Sequence, residues 1–327
     1  MENIDKSNMG GFLDRFQEQI VEGYKIGSKV DLQGRFDNIV ICGMGGSALG
    51  GRILKSYLGN KIPVVIVDDY TIPNFVNSKS LVFVSSYSGN TEETLECYKQ
   101  AMEKKLNVVV FSNGGKLAEL ATQNKTPFVK IPTCPQPRLS YGYQFFSMLK
   151  ILDNLGMVKV NKQEIDNIAV FIGIQKEKIK SRANELAKRL VGKIPAVYGS
   201  KNMEAAAYKW KINFNENCKC PAFYNIFPEH NHNELNGLLK NGGNLHLIFL
   251  KNKDDNPRVR KRMDIVKKIA EESKIDTTAL EAEGNGFLER VIWTIYLGDW
   301  TSYFLALEYG MDPTPVELVE KFKKLLD

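Results

Sequence analysis

Apolar runs alternate with helical periodicity along the first half of the chain. Five short runs rich in Val, Ile and Phe lack polar alternation, which is typical of strands covered by helices on both faces. They lie at residues 37–43, 63–68, 80–86, 107–112 and 127–132. The segments between them have the length of crossover helices. This half is therefore predicted to be a doubly wound α/β domain with a parallel sheet.

The same alternation restarts after a predicted helix at about 141–155 and a polar segment at 159–167. Further strands are predicted at 194–200, 222–227, 244–250 and 277–283. The pattern from Gly286 onward is helical, with a break at DPTP (residues 312–315) before a last helix. We therefore predict two α/β domains, residues 1–155 and 156–327.

The composition and charge of the chain indicate its class of protein and its class of ligand. A hydrophobic content of 43% with 25% charged residues is typical of a globular chain rather than a disordered one. The net charge of +6 is spread along the chain, which favours small anionic ligands over nucleic acid. The most basic segment, RVRKRMDIVKK at 258–268, has helical spacing without aromatic residues, so we interpret it as a solvated helix face rather than an RNA-binding surface.

Cysteine usage and hydropathy indicate the compartment. Five cysteines without a repeating spacing argue against a disulfide framework and favour a reducing environment. The first residues lack the apolar core of a signal peptide, and no apolar run reaches the roughly 18 residues that a membrane span needs. We expect a cytoplasmic protein with no membrane partner.

A glycine cluster, GMGGSALGG at 43–51, follows the first apolar run. Such a junction of strand and helix commonly binds phosphate through backbone N–H groups. Gly43, Gly45 and Ala48 also satisfy the dinucleotide fingerprint, with Asp68 and Asp69 about where a ribose-binding acid would lie. A nicotinamide enzyme is therefore one hypothesis.

The loop after the third run, SSYSGNTEETL at 85–95, favours a different ligand. Ser86, Ser88 and Thr91 supply three hydroxyls, Gly89 allows a tight turn, and Thr91 is predicted to cap the following helix. Hydroxyls beside a helix N-terminus suit a terminal phosphate. A dinucleotide fold does not need this second loop. The two loops together predict a phosphate ester as ligand.

Four motifs carry a resemblance to a known family. GMGGSALGG, SSYSGNTEET, PQPRLSYG and the pair NENCK and PEHNHNE occur in this order along nearly the whole chain. Together they resemble the bifunctional phosphoglucose/phosphomannose isomerases of the sugar isomerase (SIS) superfamily. The resemblance implies two SIS domains, a hexose 6-phosphate substrate and no cofactor. It also implies a homodimer with active sites shared between subunits.

An aldose–ketose isomerase opens a sugar ring and moves a proton between C1 and C2, so it needs a base, an acid at the ring oxygen and a positive charge near the enediolate. By resemblance, Glu216 is the base, Arg138 stabilises the enediolate, and His232 and Lys323 act at the ring oxygen. His232 is expected to enter from the partner subunit. Lys321 and Lys324 are alternatives to Lys323. The substrate-binding residues implied are Gly46, Ser47, Ser86, Ser88, Thr91 and Arg138.

Other interpretations of these residues stay open. His230 and His232 in EHNHNE have a spacing that zinc sites use, but the asparagine-rich α/β context and the lack of a third well-placed histidine lead us to expect no metal. His246 lies in a predicted strand and is interpreted as a core histidine. Thr314 is a candidate for the family threonine that gives room for both C2 epimers. A non-catalytic phosphosugar sensor is the alternative function.

Overall fold

The computed structural model describes residues 4–239 and 243–326. Contacts divide the chain into two compact units: one comprises Arg15–Ile174, and the other combines the residues up to Asp14 with those from Gln175 onward. The polar segment at 159–167 includes the start of a helix that spans Lys162–Leu190. The division therefore falls inside this helix, whereas the sequence pattern placed a boundary at 155/156.

Helices and strands alternate through the described residues. The helices are α1 Met9–Leu13, α2 Phe16–Gly27, α3 Leu49–Leu58, α4 Glu92–Glu103, α5 Gly115–Gln123, α6 Tyr141–Asn154, α7 Lys162–Leu190, α8 Glu204–Glu216, α9 Pro257–Glu272, α10 Phe287–Glu308 and α11 Glu317–Leu326. The strands are β1 Asn38–Cys42, β2 Val64–Val67, β3 Ser80–Ser85, β4 Asn107–Ser112, β5 Phe128–Lys130, β6 Ile194–Gly199, β7 Phe223–Ile226, β8 Leu245–Lys251 and β9 Asp276–Glu281.

The Arg15–Ile174 unit contains a parallel sheet of order β2-β1-β3-β4-β5 within the described residues. Val40 of β1 is in register with Val82 of β3, and Val82 with Val108 of β4. All six residues of β3 are buried, because helices cover both faces of the sheet. The predicted parallel α/β fold is confirmed.

The second unit contains a parallel sheet of order β7-β6-β8-β9 in the part of the chain that the structure describes. Edge strand β9 alternates between buried and more exposed residues, as expected for a strand with one solvated face. His246 of β8 is buried, and its Nε2 lies 2.8 Å from Thr278 Oγ1. The interpretation of His246 as a core histidine is therefore confirmed.

Helices α8 and α10 form the centre of this second unit. α10 is buried on nearly all sides, as expected for a helix with apolar residues all around, and the buried residues of α8 include the polar Lys209 and Asn213. The two helices approach closely at Gly298, where a Cβ would lie 2.2 Å from Trp210 Nε1, and this indole donates to Thr294 O at 2.8 Å. The contact fixes the axis of α8, and Glu216 is the last residue of that helix.

The most basic segment of the sequence is part of a helix at the surface. The basic segment 258–268 lies on α9, where Met263 and Val266 are buried and Lys267 pairs with Glu271 at 2.5 Å. This supports its interpretation as a solvated helix face.

Among the described residues, no helix has the length and apolar character that crossing a membrane requires.

Candidate active site

The two predicted phosphate loops lie side by side in the Arg15–Ile174 unit. They follow β1 and β3, which are neighbours in the sheet although β2 lies between them in the chain. In a sheet of order 2-1-3-4-5, ligands bind at the carboxyl ends of the strands where the order reverses, and this point lies between the first and third strands. The fold therefore brings the two loops together at the usual ligand position.

The first loop presents Ser47 to the second. Ser47 is 7% exposed, and its Oγ accepts a hydrogen bond from the backbone N–H of Tyr87 at 2.9 Å. Its carbonyl accepts one from Ser85 Oγ at 2.8 Å. Because the Ser47 oxygen accepts from Tyr87, the hydroxyl can still donate its own proton to an anion.

The second loop joins two of the predicted hydroxyls. Ser86 Oγ and Thr91 Oγ1 lie 2.8 Å apart, and Ser86 Oγ also accepts from Gly89 N–H at 3.1 Å. Thr91 occupies the N-cap position of α4, as predicted, but its hydroxyl makes no capping hydrogen bond. The expected side-chain cap is therefore wrong, because Ser86 engages that hydroxyl instead. Ser88 is exposed, and its Oγ accepts from Asn90 N–H at 3.2 Å.

Arg138 lies beside the first loop. It is 1% exposed and forms part of a 3-10 turn at Pro137–Leu139. A Cβ on Gly46 would lie 2.6 Å from Arg138 N and 2.7 Å from its Cα, so only glycine permits this approach of two backbones. The structure thus places Gly46 against Arg138, Ser47 against the backbone of the second loop and Ser86 against Thr91, whereas Ser88 bonds within its own loop.

A third loop, after β4, supports the second and was not predicted. Gly89 has φ +73°, and a Cβ there would lie 1.8 Å from Gly114 O. Asn90 Oδ1 accepts from Lys116 N–H at 2.9 Å, and Gly89 O accepts from Leu117 N–H at 2.9 Å. The second loop therefore caps the N-terminus of α5. The sequence signal was NGGK at 113–116, which follows a strand as the first glycine cluster does.

Glu216 lies in the other unit and is half-buried at the end of α8. The adjacent Asn217 is buried, and its side chain donates to Ser302 Oγ at 2.8 Å. Lys219, at φ +54°, donates to Asn217 O at 3.1 Å and to Asp312 O at 2.6 Å. These bonds fix the backbone that follows Glu216, so its carboxylate extends from a rigid helix end.

The two candidate histidines have different surroundings. His230 is fully buried, stacks on Phe227 at 4.8 Å between ring centroids and contacts the Tyr198 ring edge-on at 4.4 Å. Burial lowers the pKa of His230 and keeps its imidazole neutral. His232 is exposed at the end of the same 3-10 turn. The pair therefore does not present both imidazoles to one metal ion.

Lys323 and Thr314 occupy different parts of the C-terminal segment. Lys323 is exposed on α11, and its Nζ lies 2.8 Å from Glu320 Oε1 one turn earlier. Thr314 is 6% exposed, and its N–H donates to Asp312 Oδ1 at 3.0 Å. Lys219 holds the Asp312 carbonyl, so Thr314 belongs to a segment tied to the end of α8.

The dinucleotide hypothesis fits the structure less well. The usual strand order of a dinucleotide-binding fold is 3-2-1-4-5-6, whereas the sheet of the Arg15–Ile174 unit has the order 2-1-3-4-5. Asp68, proposed to bind a ribose, pairs with Arg52 at 2.6 Å. These features favour the phosphate-ester hypothesis.

Comparisons with known proteins show the fold and the family of the chain. Residues 179–326 match the family model described as the bacterial phospho-glucose isomerase C-terminal SIS domain. The crystal structure of tagatose-6-phosphate ketose/aldose isomerase from Escherichia coli superposes with a TM-score of 0.71 at 14% identity, covering 94% of each chain. The fold is thus that of the SIS phosphosugar isomerases.

Two curated relatives define the family. The bifunctional phosphoglucose/phosphomannose isomerase of Caldicellulosiruptor bescii is 37% identical over 94% of this chain and 96% of the relative. The enzyme of the same name from Aquifex aeolicus is 38% identical over 89% of this chain and 91% of the relative. The chain belongs to the bifunctional phosphoglucose/phosphomannose isomerase family.

Proposed function

We propose that this chain is an aldose–ketose isomerase that interconverts glucose 6-phosphate and mannose 6-phosphate with fructose 6-phosphate. One observation carries the proposal in a member of this family: at the ligand position of the parallel sheet, Ser86 Oγ bonds to Thr91 Oγ1, and the backbone of the same loop donates to Ser47 Oγ. A hydroxyl cluster beside the start of α4 suits a dianionic phosphate ester.

In this mechanism the phosphate of the sugar binds to Gly46, Ser47, Ser86, Ser88 and Thr91. His232 and Lys323 assist ring opening by proton transfer at the ring oxygen. Glu216 then removes the proton at C2 of the aldose and returns it to C1. The cis-enediolate between these steps carries negative charge, which the guanidinium of Arg138 stabilises because it stays protonated. Glucose and mannose 6-phosphates differ only at C2, so both yield the same enediol.

The decisive variant is Glu216→Gln, with Glu204→Gln as its matched control. Glu204 is a half-buried glutamate at the opposite end of the same helix and pairs with Lys201 at 2.6 Å. A positioned base contributes about 10²–10⁴-fold, so we expect at least that loss in kcat for Glu216→Gln and an ordinary rate for Glu204→Gln. Binding of fructose 6-phosphate should persist in both variants. Normal turnover by Glu216→Gln would refute the role of Glu216.

A coupled assay with fructose 6-phosphate, run with and without a chelator, tests the activity itself. We expect glucose 6-phosphate and mannose 6-phosphate as products at rates that the chelator does not change. Thermal stabilisation by the phosphosugar without turnover would instead indicate the non-catalytic sensor.

The proposal includes a homodimer in which the partner's His232 completes each active site. The exposure of His232 at the end of its turn supports this assignment. Mixing the inactive variants Glu216→Gln and His232→Ala, after dissociation and reassociation, should restore about a quarter of wild-type activity, because each mixed dimer has one intact site. No recovery would show that Glu216 and His232 act within one chain. A cytoplasmic location is also proposed, since none of the five cysteines, all within the described residues, forms a disulfide.

A further inference from the structure

Tyr87 joins three segments of the phosphate site although its side chain was not among the predicted site residues. Its N–H donates to Ser47 Oγ at 2.9 Å, and its carbonyl accepts from Asn113 N–H at 3.0 Å. Its phenol donates to Cys134 O at 3.0 Å and accepts from Cys134 N–H at 2.6 Å. One residue thus links the first loop, the third loop and the segment that leads to Arg138.

The double hydrogen bond to Cys134 is the unusual part of this arrangement. A single phenol satisfies both backbone polar groups of a buried residue that lies outside any strand or helix. Burial raises the pKa of Tyr87, so the phenol stays protonated and can donate and accept at neutral pH. The backbone at Cys134 therefore depends on this hydroxyl for its place beside the second loop.

The chain between Cys134 and Arg138 is short and stiff. Its sequence is CPQPR, and Pro135 and Pro137 each fix their own φ near −65°. At the far end, Ser140 Oγ donates to Pro137 O at 2.7 Å. A displacement of Cys134 is therefore transmitted to Arg138 rather than absorbed by intervening residues.

We propose that Tyr87 is the positioning residue for Arg138 and acts through the backbone of Cys134. The inference rests on the proposed isomerase function, in which Arg138 stabilises the enediolate. Phosphate binding is separable from it, because Ser47 is held by the backbone N–H of Tyr87, which no side-chain substitution removes.

Tyr87→Phe removes only the hydroxyl, and Tyr98→Phe is the matched control. The Tyr98 hydroxyl lies 2.8 Å from Thr126 Oγ1 and donates to Leu120 O at 3.3 Å, outside the loops of the site. A misplacement of about 1 Å can reduce a rate by about 10²-fold. We expect kcat to fall about 10- to 100-fold in Tyr87→Phe, with affinity for inorganic phosphate within about threefold of wild type and Tyr98→Phe unchanged in both.

A second measurement does not depend on turnover. Phenylglyoxal modification of Arg138, followed by mass spectrometry, reports whether this buried guanidinium becomes accessible. We expect faster modification in Tyr87→Phe than in Tyr98→Phe or wild type. Equal kcat and equal modification in the two variants would overturn the proposal, as would a parallel loss of phosphate affinity and kcat. If wild type shows no turnover, the proposed function is wrong, and the modification rates still decide the role of Tyr87.

Discussion

Gly46→Ala tests whether the close approach of the first loop to Arg138 is required. A Cβ at this position would lie 2.6 Å from Arg138 N, whereas ordinary van der Waals contact begins at 3.4 Å, so a backbone segment must retreat by about 0.8 Å. Neither the first loop nor the segment at Arg138 can move aside at low cost, because backbone atoms cannot rotate away as a side chain can. Displacements near 1 Å can reduce turnover by about 10²-fold, and we expect kcat/KM to fall by that order.

The assay is isomerisation of fructose 6-phosphate by Gly46→Ala, with thermal unfolding of the same samples. Gly173→Ala is the control, because it adds the same methyl group where nothing lies within 4 Å. We expect the control to keep kcat/KM within about threefold of wild type, as ordinary surface substitutions do. If the kcat/KM of Gly46→Ala also stays within about threefold of wild type, and the variant shows a cooperative thermal unfolding transition, the close approach is not needed and the argument from the glycine is refuted.

Three further substitutions probe the supporting structure. Lys209→Met should lower the free energy of unfolding, measured by chemical denaturation, by about 3–5 kcal/mol, because it removes the buried ion-pair partner of Asp299 at 2.7 Å. Adding Asp299→Asn should recover part of this loss. Burial lowers the pKa of His246 to about 4, so the unfolded chain binds the proton first as pH falls from 6.5 to 4, and about 3 kcal/mol of stability is lost in that range. His246→Val should flatten this part of the stability–pH curve, and an unchanged curve would contradict the assignment. Gly89→Ala should lower the melting temperature, because its Cβ would lie 1.8 Å from Gly114 O, whereas Gly114→Ala adds a methyl group in open space.

The two loops that we propose bind phosphate could be located from the sequence because their signal is local. Gly46 and Ser47 follow an apolar run, and Ser86 and Thr91 follow another, so their places at the carboxyl ends of strands come directly from the pattern. The side-chain contacts could not be predicted in the same way. Thr91 was correctly placed at the start of a helix, yet its hydroxyl engages Ser86 instead of the helix backbone.

The proposed catalytic residues were identified by resemblance rather than by sequence pattern. A glutamate at a helix end is commonly solvated, and nothing local distinguishes Glu216 from such a residue. The structure adds the bonds of Asn217 and Lys219 that fix the chain beside it. It also separates His230, enclosed by aromatic rings, from His232 at the surface, a difference that two histidines in one short motif do not reveal.

The amino-acid sequence by itself determined the parallel α/β architecture, since β-branched runs without polar alternation are stable only when helices cover both faces of a sheet. It also determined which loops carry hydroxyls and glycines. Strand order was decided only by the tertiary structure, which places β3 beside β1 and so brings together residues some forty positions apart. The proposed role of Tyr87 likewise depends on the tertiary structure, because its phenol meets a backbone partner 47 residues away only after the sheet has formed.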